Sequence, residues 1–289
     1  MCDTETLENW ARGALTRRQV GALGAAGALG ACAPMASEPA RSAEGSGLVE
    51  RAVSFATPDG TLDGEFYHRA GTKAPGVILW PDIAGIRPAK RQMARRLAEA
   101  GYAVLLANPY YRDVKGQQFQ DFADFAGNGG WGKVTPWRGR FNADTILTDA
   151  RAIAGWLAQQ DAVDASRGMG AQGYCMTGSF AVIAPSAAPG MRAGASFHGG
   201  GLVRAEGPSP HKMLEASGRY LIAIAKNDDA KAPGDKTALR EAASAAGTQA
   251  EIEVYDADHG WCVPDSPSYD QAEAERAWGQ LLALYKAAL

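Results

Sequence analysis

Short apolar runs alternate with longer amphipathic segments along the chain, from about residue 48 to its end. Two alternating runs, 51–55 and 62–68, flank the turn residues Pro58-Asp59-Gly60 and predict an antiparallel hairpin. The apolar runs that follow have few polar interruptions, which is typical of strands buried on both faces of a sheet. We predict these strands at 76–80, 102–107, 168–172, 193–197, 220–225 and 251–255.

Segments with helical periodicity lie between the strands. Met93 and Leu97 share one face of a helix predicted at 89–100, and a second helix is predicted at about 142–159. An amphipathic helix over 269–288 closes the chain. Strands that alternate with helices predict an α/β fold, in which a mostly parallel central sheet carries helices on both faces.

One segment fits neither pattern. Residues 115–140 spread aromatic side chains among glycine and polar residues without a strand period. We expect either a cap or loop over a site, its pocket lined by these aromatic residues, or an excursion along the surface. Because no internal repeat and no second linker is present, residues 48–289 are predicted to form one domain. The aromatic residues are Phe119, Phe122, Phe125, Trp131 and Trp137.

The N-terminus has the features of an export signal. The run Thr16-Arg17-Arg18-Gln19-Val20 precedes a Gly/Ala/Leu-rich segment at 21–33, a pattern similar to a twin-arginine signal. This segment is too short and too rich in glycine to span a membrane. We therefore predict a signal at 1–33 and a solvated linker at 34–47.

Two fates of this leader are open. Leu29-Gly30-Ala31-Cys32 resembles a lipoprotein-processing box, which would leave a lipid anchor on Cys32. Alternatively, Ala31-Cys32-Ala33 is a site for plain signal cleavage. We expect an exported bacterial protein, periplasmic or anchored to the membrane, and a cytoplasmic one if the signal is not used.

Composition and charge narrow the class of partner. Apolar residues make up 46% of the 289 residues, enough for a sizeable core. The formal net charge is -3 and lysine and arginine form no long run, which argues against a nucleic-acid partner. We expect a small-molecule substrate and a monomer.

The cysteines do not form a disulfide framework. Cys2 and Cys32 lie in the leader, so Cys175 and Cys262 alone remain for the domain. These two could form a bridge in an oxidising compartment. The cluster of Asp258, His259 and Cys262 lacks a second spaced group that would complete a metal site, so no metal or other cofactor is expected.

The residues that follow the strand at 168–172 predict a nucleophile. Gly173-Tyr174-Cys175-Met176-Thr177-Gly178 leads into a helical run, which is the strand–turn–helix arrangement of a nucleophile elbow. A thiolate at Cys175 would be favoured by the start of that helix. The alternative is a buried cysteine that acts as a small apolar residue.

A carboxylate and a histidine follow in the order that the α/β-hydrolase fold requires. Asp228 and Asp229 come directly after the strand at 220–225, and either could orient a histidine. His259 follows the last strand and is the expected base for the thiol. His198 also ends a strand and is a rival, but only His259 lies after the acidic pair.

These motifs resemble the dienelactone hydrolase family over residues 48–289. The family's elbow reads G-Y-C-x-G-G, and Thr177 replaces one glycine of that pattern. The family's acid lies in a D-x-x-x-P sequence, which Asp229 and Pro233 match, so the resemblance favours Asp229 over Asp228. His259 matches the family's catalytic histidine.

The resemblance also implies an oxyanion hole. Pro81-Asp82-Ile83-Ala84-Gly85-Ile86 is similar to the family's acidic-x-x-G loop. By this likeness the backbone N–H groups of Ile83 and Met176 hold the oxyanion. Asp82 takes the place of the family's glutamate that contacts the resting thiol.

A third likeness concerns substrate binding. Asn108-Pro109-Tyr110-Tyr111-Arg112 resembles the loop whose arginine binds the substrate carboxylate, which makes Tyr111 and Arg112 candidate substrate contacts. Arg112 could instead pair with Asp113 at the surface. The family's second arginine after the histidine is missing, and Trp261 stands nearby as a further candidate contact.

Together these features predict a hydrolase that cleaves an ester or lactone of a small, carboxylate-bearing or neutral substrate through an acyl-cysteine. The missing arginine means that the dienelactone substrate itself is not implied. Two other functions are open: a non-catalytic binding protein with the same fold, and a redox protein in which Cys262 resolves an oxidised Cys175.

Overall fold

The computed structural model describes residues 41–42 and 47–289. The predicted signal at 1–33 and most of the linker at 34–47 lie outside the described residues and stay predictions. Within the linker, Arg41–Ser42 form a short strand. No helix in the described part of the chain is long and apolar enough to cross a bilayer.

Strands and helices alternate along the domain as the sequence pattern predicts. The strands are β1 (Arg41–Ser42), β2 (Leu48–Thr57), β3 (Gly60–Arg69), β4 (Gly76–Trp80), β5 (Ala103–Ala107), β6 (Met169–Tyr174), β7 (Met191–Phe197), β8 (Arg219–Ala225) and β9 (Gln249–Tyr255). The helices are α1 (Pro88–Glu99), α2 (Phe122–Gly127), α3 (Gly130–Arg138), α4 (Ala143–Leu157), α5 (Gly178–Ile183), α6 (Lys226–Lys231), α7 (Asp235–Ala246) and α8 (Gln271–Ala288).

The strands form one sheet in the order β1-β2-β3-β5-β4-β6-β7-β8-β9. The first strands pair antiparallel, and the pairs from β5 onward are parallel. The carboxyl ends of the parallel strands therefore meet at one edge of the sheet, where α/β proteins place their sites.

Successive side chains of the buried strands point to opposite faces of the sheet, so each face has its own hydrophobic core. In β4, Val77 and Leu79 pack with residues of α1 and α8 on one face. Ile78 and Trp80 point to the other face and pack with residues of α4 and α5. The prediction of a mostly parallel sheet with helices on both faces is confirmed.

The aromatic segment 115–140 is a helical cap. It contains the short helices α2 and α3, and the Asp121 side chain accepts a hydrogen bond from the Asp124 N–H at the start of α2. Its aromatic side chains pack on one another and on Cys175 and Met176. Of the two arrangements that the sequence left open, the structure shows a cap over the end of β6. The cap cluster comprises Phe119, Phe122, Phe125, Trp131, Val134 and, partly buried, Trp137 and Phe141.

Candidate active site

Cys175 lies at a sharp turn between β6 and α5. Its φ is 56°, a left-handed value that a residue with a Cβ seldom adopts, and its side chain is 5% exposed. A Cβ at Gly173 would collide with the Thr177 carbonyl, and one at Gly178 would collide with the Gly199 backbone. Glycine at these two positions is what allows the chain to bend at the cysteine.

Asp228 contacts the ring of His259. The Asp228 Oδ2 atom lies 2.6 Å from His259 Nδ1, and the His259 N–H donates to the Asn227 side chain at 2.9 Å. Asp229 instead forms an ion pair with Lys236, with oxygen–nitrogen distances of 2.8 and 2.7 Å. The expectation that Asp229 contacts His259 is therefore corrected: Asp228 makes this contact.

Cys175 and His259 line the same small cavity. Its volume is about 20 Å³, which is room for about one water molecule. A larger cavity of about 300 Å³ lies between α1 and α8, and neither Cys175 nor His259 lines it. The small cavity is thus the place where the predicted nucleophile and base meet, and it is lined by Asp82, Ile83, Phe122, Cys175, His198, His259, Gly260, Val263 and Ser266.

His198, the rival histidine, also belongs to this cavity. Its ring centroid lies 4.6 Å from that of His259, and the edge of Trp261 packs against it at 5.2 Å. Burial, followed by the neighbouring His259, lowers the pKa of His198 well below its ordinary value. Trp261 is fully buried and does not line the cavity, so its predicted substrate contact is corrected to packing behind His198.

The loop after β4 forms another wall. Ile83 lines the cavity, and its carbonyl accepts a hydrogen bond from the Tyr110 hydroxyl at 2.7 Å. Met176 follows Cys175 in the first turn of the helical segment, where N–H groups have no acceptor inside the helix. Ile83, Cys175 and Met176 pack against the cap cluster.

Asp82 is held in a buried ion cluster. Arg87 donates to both of its oxygens, at 2.7 and 2.9 Å, and Lys90 Nζ lies 3.0 Å away. Burial alone would raise the pKa of Asp82, but the two cations outweigh it and hold this pKa well below its usual range. Arg87 also pairs with Asp265. Asp82 also accepts the Ala84 N–H at 3.0 Å, and it lines the cavity together with Cys175.

A family model decides the classification of the chain. The model of the dienelactone hydrolase family matches residues 62–289, most of the described domain. The chain belongs to the dienelactone hydrolase family. It is therefore a hydrolase, and this family membership indicates a small-molecule substrate.

The chain is also similar to individual proteins and to solved structures. An Escherichia coli (strain K12) protein named "Putative carboxymethylenebutenolidase" is 27% identical over 217 residues, which cover 73% of this chain and 76% of that protein. Two structures share the fold. A Klebsiella pneumoniae "Putative Dienelactone Hydrolase" has a TM-score of 0.69 at 21% identity, over 83% of this chain and 98% of that one. A dienelactone hydrolase-like promiscuous phosphotriesterase from metagenomic libraries has a TM-score of 0.65 at 20% identity, with coverage of 84% and 99%.

Thr177 departs from the family's elbow pattern without disturbing the turn. Its φ is −87°, which a β-branched residue adopts freely, and its side chain is fully buried. The Thr177 hydroxyl accepts the Tyr174 N–H at 3.0 Å and lies 2.9 Å from the Pro81 carbonyl, to which it can donate. The hydroxyl thus joins the elbow to the loop after β4.

The family's carboxylate-binding loop is used differently here. Arg112 donates to Asp149 at 2.8 and 2.9 Å and to Asp59 at 2.6 Å, so all three guanidinium nitrogens are engaged. The Tyr111 hydroxyl donates to Asp149 at 2.7 Å. Neither residue lines the cavity. The expectation that Tyr111 and Arg112 bind substrate is corrected, because they tie the loop to α4 and the hairpin.

Cys262 and Cys175 line different cavities. Both described cysteines are thiols, and Cys262 lines the larger cavity between α1 and α8. Burial of the Cys262 thiol raises its pKa to about 12. The described residues include no group of three histidine, cysteine or acidic side chains that could hold a metal ion.

Because the Thr177 hydroxyl is hydrogen-bonded, we expect two substitutions of Thr177 to differ in their effect on stability. Thr177→Val keeps the shape but leaves the buried Tyr174 N–H without its acceptor, so we expect a loss of about 1–3 kcal/mol in the free energy of unfolding. Thr177→Ser keeps the hydroxyl and should lose about 1 kcal/mol or less, the contribution of one methyl group. Urea unfolding measures both, and a valine variant as stable as the serine variant would contradict the assignment.

The lowered pKa of His198 predicts a pH dependence of stability. His198 stays neutral in the folded protein, whereas the unfolded chain protonates it below about pH 6.5. Unfolding then takes up a proton, so the free energy of unfolding falls by up to about 1.4 kcal/mol for each pH unit below that value. His198→Asn lacks this proton uptake. Urea unfolding between about pH 5 and 6.5 should therefore show a smaller slope in the variant; equal slopes would refute the prediction.

Proposed function

We propose that this protein hydrolyses a small ester or lactone through an acyl-cysteine, with Cys175 as nucleophile, His259 as base and Asp228 as orienting acid. The observation that carries the proposal is the 2.6 Å contact between Asp228 and His259 Nδ1, in a histidine that shares a cavity with Cys175. A carboxylate on Nδ1 fixes the imidazole so that Nε2 can act as the proton acceptor for the thiol. The strained elbow at Cys175 supports the same role.

The proposed chemistry proceeds in two steps. His259 Nε2 takes the proton from Cys175, and the thiolate attacks the carbonyl carbon to form a carbon–sulfur bond. The backbone N–H groups of Ile83 and Met176 stabilise the oxyanion. Collapse breaks the carbon–oxygen bond of the ester, and His259 gives its proton to the departing alcohol. A water molecule, activated by His259, then attacks the acyl-cysteine and releases the acid and the thiol.

The cavity favours an uncharged acyl group. Its lining includes the apolar side chains of Ile83, Phe122 and Val263. Arg87 and Lys90, which contact Asp82 in this lining, are already paired with its carboxylate. Because Arg112 is bound by two carboxylates elsewhere, it does not supply a site for a substrate carboxylate. We therefore propose a neutral ester or lactone.

The redox alternative receives less support. A resolving thiol must reach the oxidised cysteine and act as a thiolate. Cys262 lines a different cavity from Cys175, and its pKa of about 12 leaves it protonated at neutral pH. The alternative of a non-catalytic binding protein is tested directly by turnover.

Turnover of p-nitrophenyl acetate, p-nitrophenyl butyrate and small lactones tests the proposal. We expect Cys175→Ala and His259→Ala to lower kcat/KM by at least about 1,000-fold, because each removes a group that takes part in bond making. Cys262→Ala serves as the matched thiol control and should retain activity. Absence of turnover in the unsubstituted protein across the panel, with intact folding, would support the binding-protein alternative.

Substitution of Asp228 and of Asp229 in turn tests which carboxylate supports catalysis. Asp228→Asn removes the charge that orients His259, and we expect kcat to fall by at least about 100-fold. Asp229→Asn removes only the ion pair with Lys236, so its kcat should stay within about 3-fold of the original. Steady-state kinetics of the two variants measures the difference. A larger loss for Asp229→Asn would restore Asp229 as the orienting acid.

A further inference from the structure

Two residues with strained backbones lie in direct contact at the site. Cys175 and His198 are the non-glycine residues with positive φ in the described part of the chain, at 56° and 41°. The Cys175 N–H donates to His198 Nδ1 at 3.1 Å, and the Cys175 carbonyl accepts from the Gly200 N–H at 3.1 Å. The loop after β7 therefore holds both backbone polar groups of the cysteine.

His198 is itself firmly placed. Its N–H donates to the Ala223 carbonyl of β8 at 2.8 Å, and its side chain is 1% exposed. Tyr174 and Trp261 pack around the ring, with centroid distances of 6.1 and 5.2 Å. A ring enclosed in this way cannot turn away from Cys175 without a shift of its neighbours.

The contact to Cys175 also fixes the protonation of the ring. Nδ1 accepts a hydrogen bond and therefore carries no proton, so the neutral ring has its proton on Nε2. A doubly protonated ring would place an N–H against the Cys175 N–H. Burial and the nearby His259 disfavour that charged form as well. His198 thus differs from His259, whose Nδ1 faces a carboxylate.

We propose that His198 is a positioning residue, whose Nδ1 holds the backbone of Cys175 so that the thiol stays presented to the cavity. This inference rests on the proposed function, in which Cys175 is the nucleophile. It assigns the second histidine a role distinct from proton transfer. Without the Nδ1 acceptor, the buried Cys175 backbone would lose this hydrogen bond, and the elbow could relax from its strained conformation.

Three substitutions separate the acceptor from the rest of the ring. His198→Asn introduces an amide whose Oδ1 can occupy the position of Nδ1, on a residue type whose backbone tolerates positive φ. His198→Gln places its amide near the position of Nε2 instead. His198→Leu has no acceptor. The asparagine substitution should therefore preserve the function, although glutamine is the closer match to histidine in side-chain length.

Two rates are measured for the full-length chain with each substitution. The first is the hydrolysis of p-nitrophenyl acetate. The second is the alkylation of Cys175 by iodoacetamide, which is followed by peptide mass spectrometry at a series of pH values. We expect His198→Asn to stay within about 3-fold of the original on both rates, with the same pH midpoint for alkylation. His198→Gln and His198→Leu should lose at least about 10-fold on both and shift that midpoint. Equal rates and midpoints in all variants, or an asparagine variant as impaired as the leucine variant, would overturn the proposal.

Two controls keep this inference separate from the proposed function. Alkylation needs no substrate, so a difference among the variants without ester turnover in any of them would support the positioning role and count against the hydrolase proposal. Nitrogen-15 NMR of histidine in the unsubstituted protein reads the tautomer without any variant. We expect an unprotonated Nδ1 on His198 between about pH 6 and 8; a proton on Nδ1 would overturn the proposal.

Discussion

The strained backbone of Cys175 is the constraint on which the rest of the site depends. A non-glycine residue held in the left-handed region costs about 1–3 kcal/mol, and it persists only where its surroundings fix it. Here Gly173 and Gly178 provide the space, the Thr177 hydroxyl bonds the backbone on one side, and His198 bonds it on the other. The thiol is exposed to the cavity because the chain cannot relax at this point.

Arg87 provides a second, electrostatic constraint. It is fully buried between Asp82, in the loop after β4, and Asp265, in the loop that follows His259. Asp265 also accepts the Phe122 N–H at 3.0 Å, so the same carboxylate reaches the cap. The pair of Arg87 and Asp265 therefore links three walls of the cavity. Because removal of either carboxylate would leave a buried charge uncompensated, these walls are expected to move together.

Much of this arrangement could be predicted from the sequence, since apolar runs predict the strands and chain order predicts where Cys175 and His259 lie. The choice between Asp228 and Asp229 could not. Neighbours on a helix point about 100° apart, so the rotation of α6 decides which one faces His259, and Lys236 binds the other. Arg112 fits its motif equally well, but its partner Asp149 lies 37 residues away in sequence. Contacts between residues this far apart in sequence can be identified only from the folded structure.

The cap forms one wall of the cavity. Phe122, on α2, is the cap residue in the lining of the cavity beside Cys175, whose volume of about 20 Å³ is room for about one water molecule. Phe122 belongs to this helix and is bonded through its N–H to Asp265. This hydrogen bond joins the cap to the ion cluster of Asp265, Arg87 and Asp82, which reaches the loop after β4. An outward movement of α2 would break that bond, so the position of the cap is linked to the loop that carries Ile83.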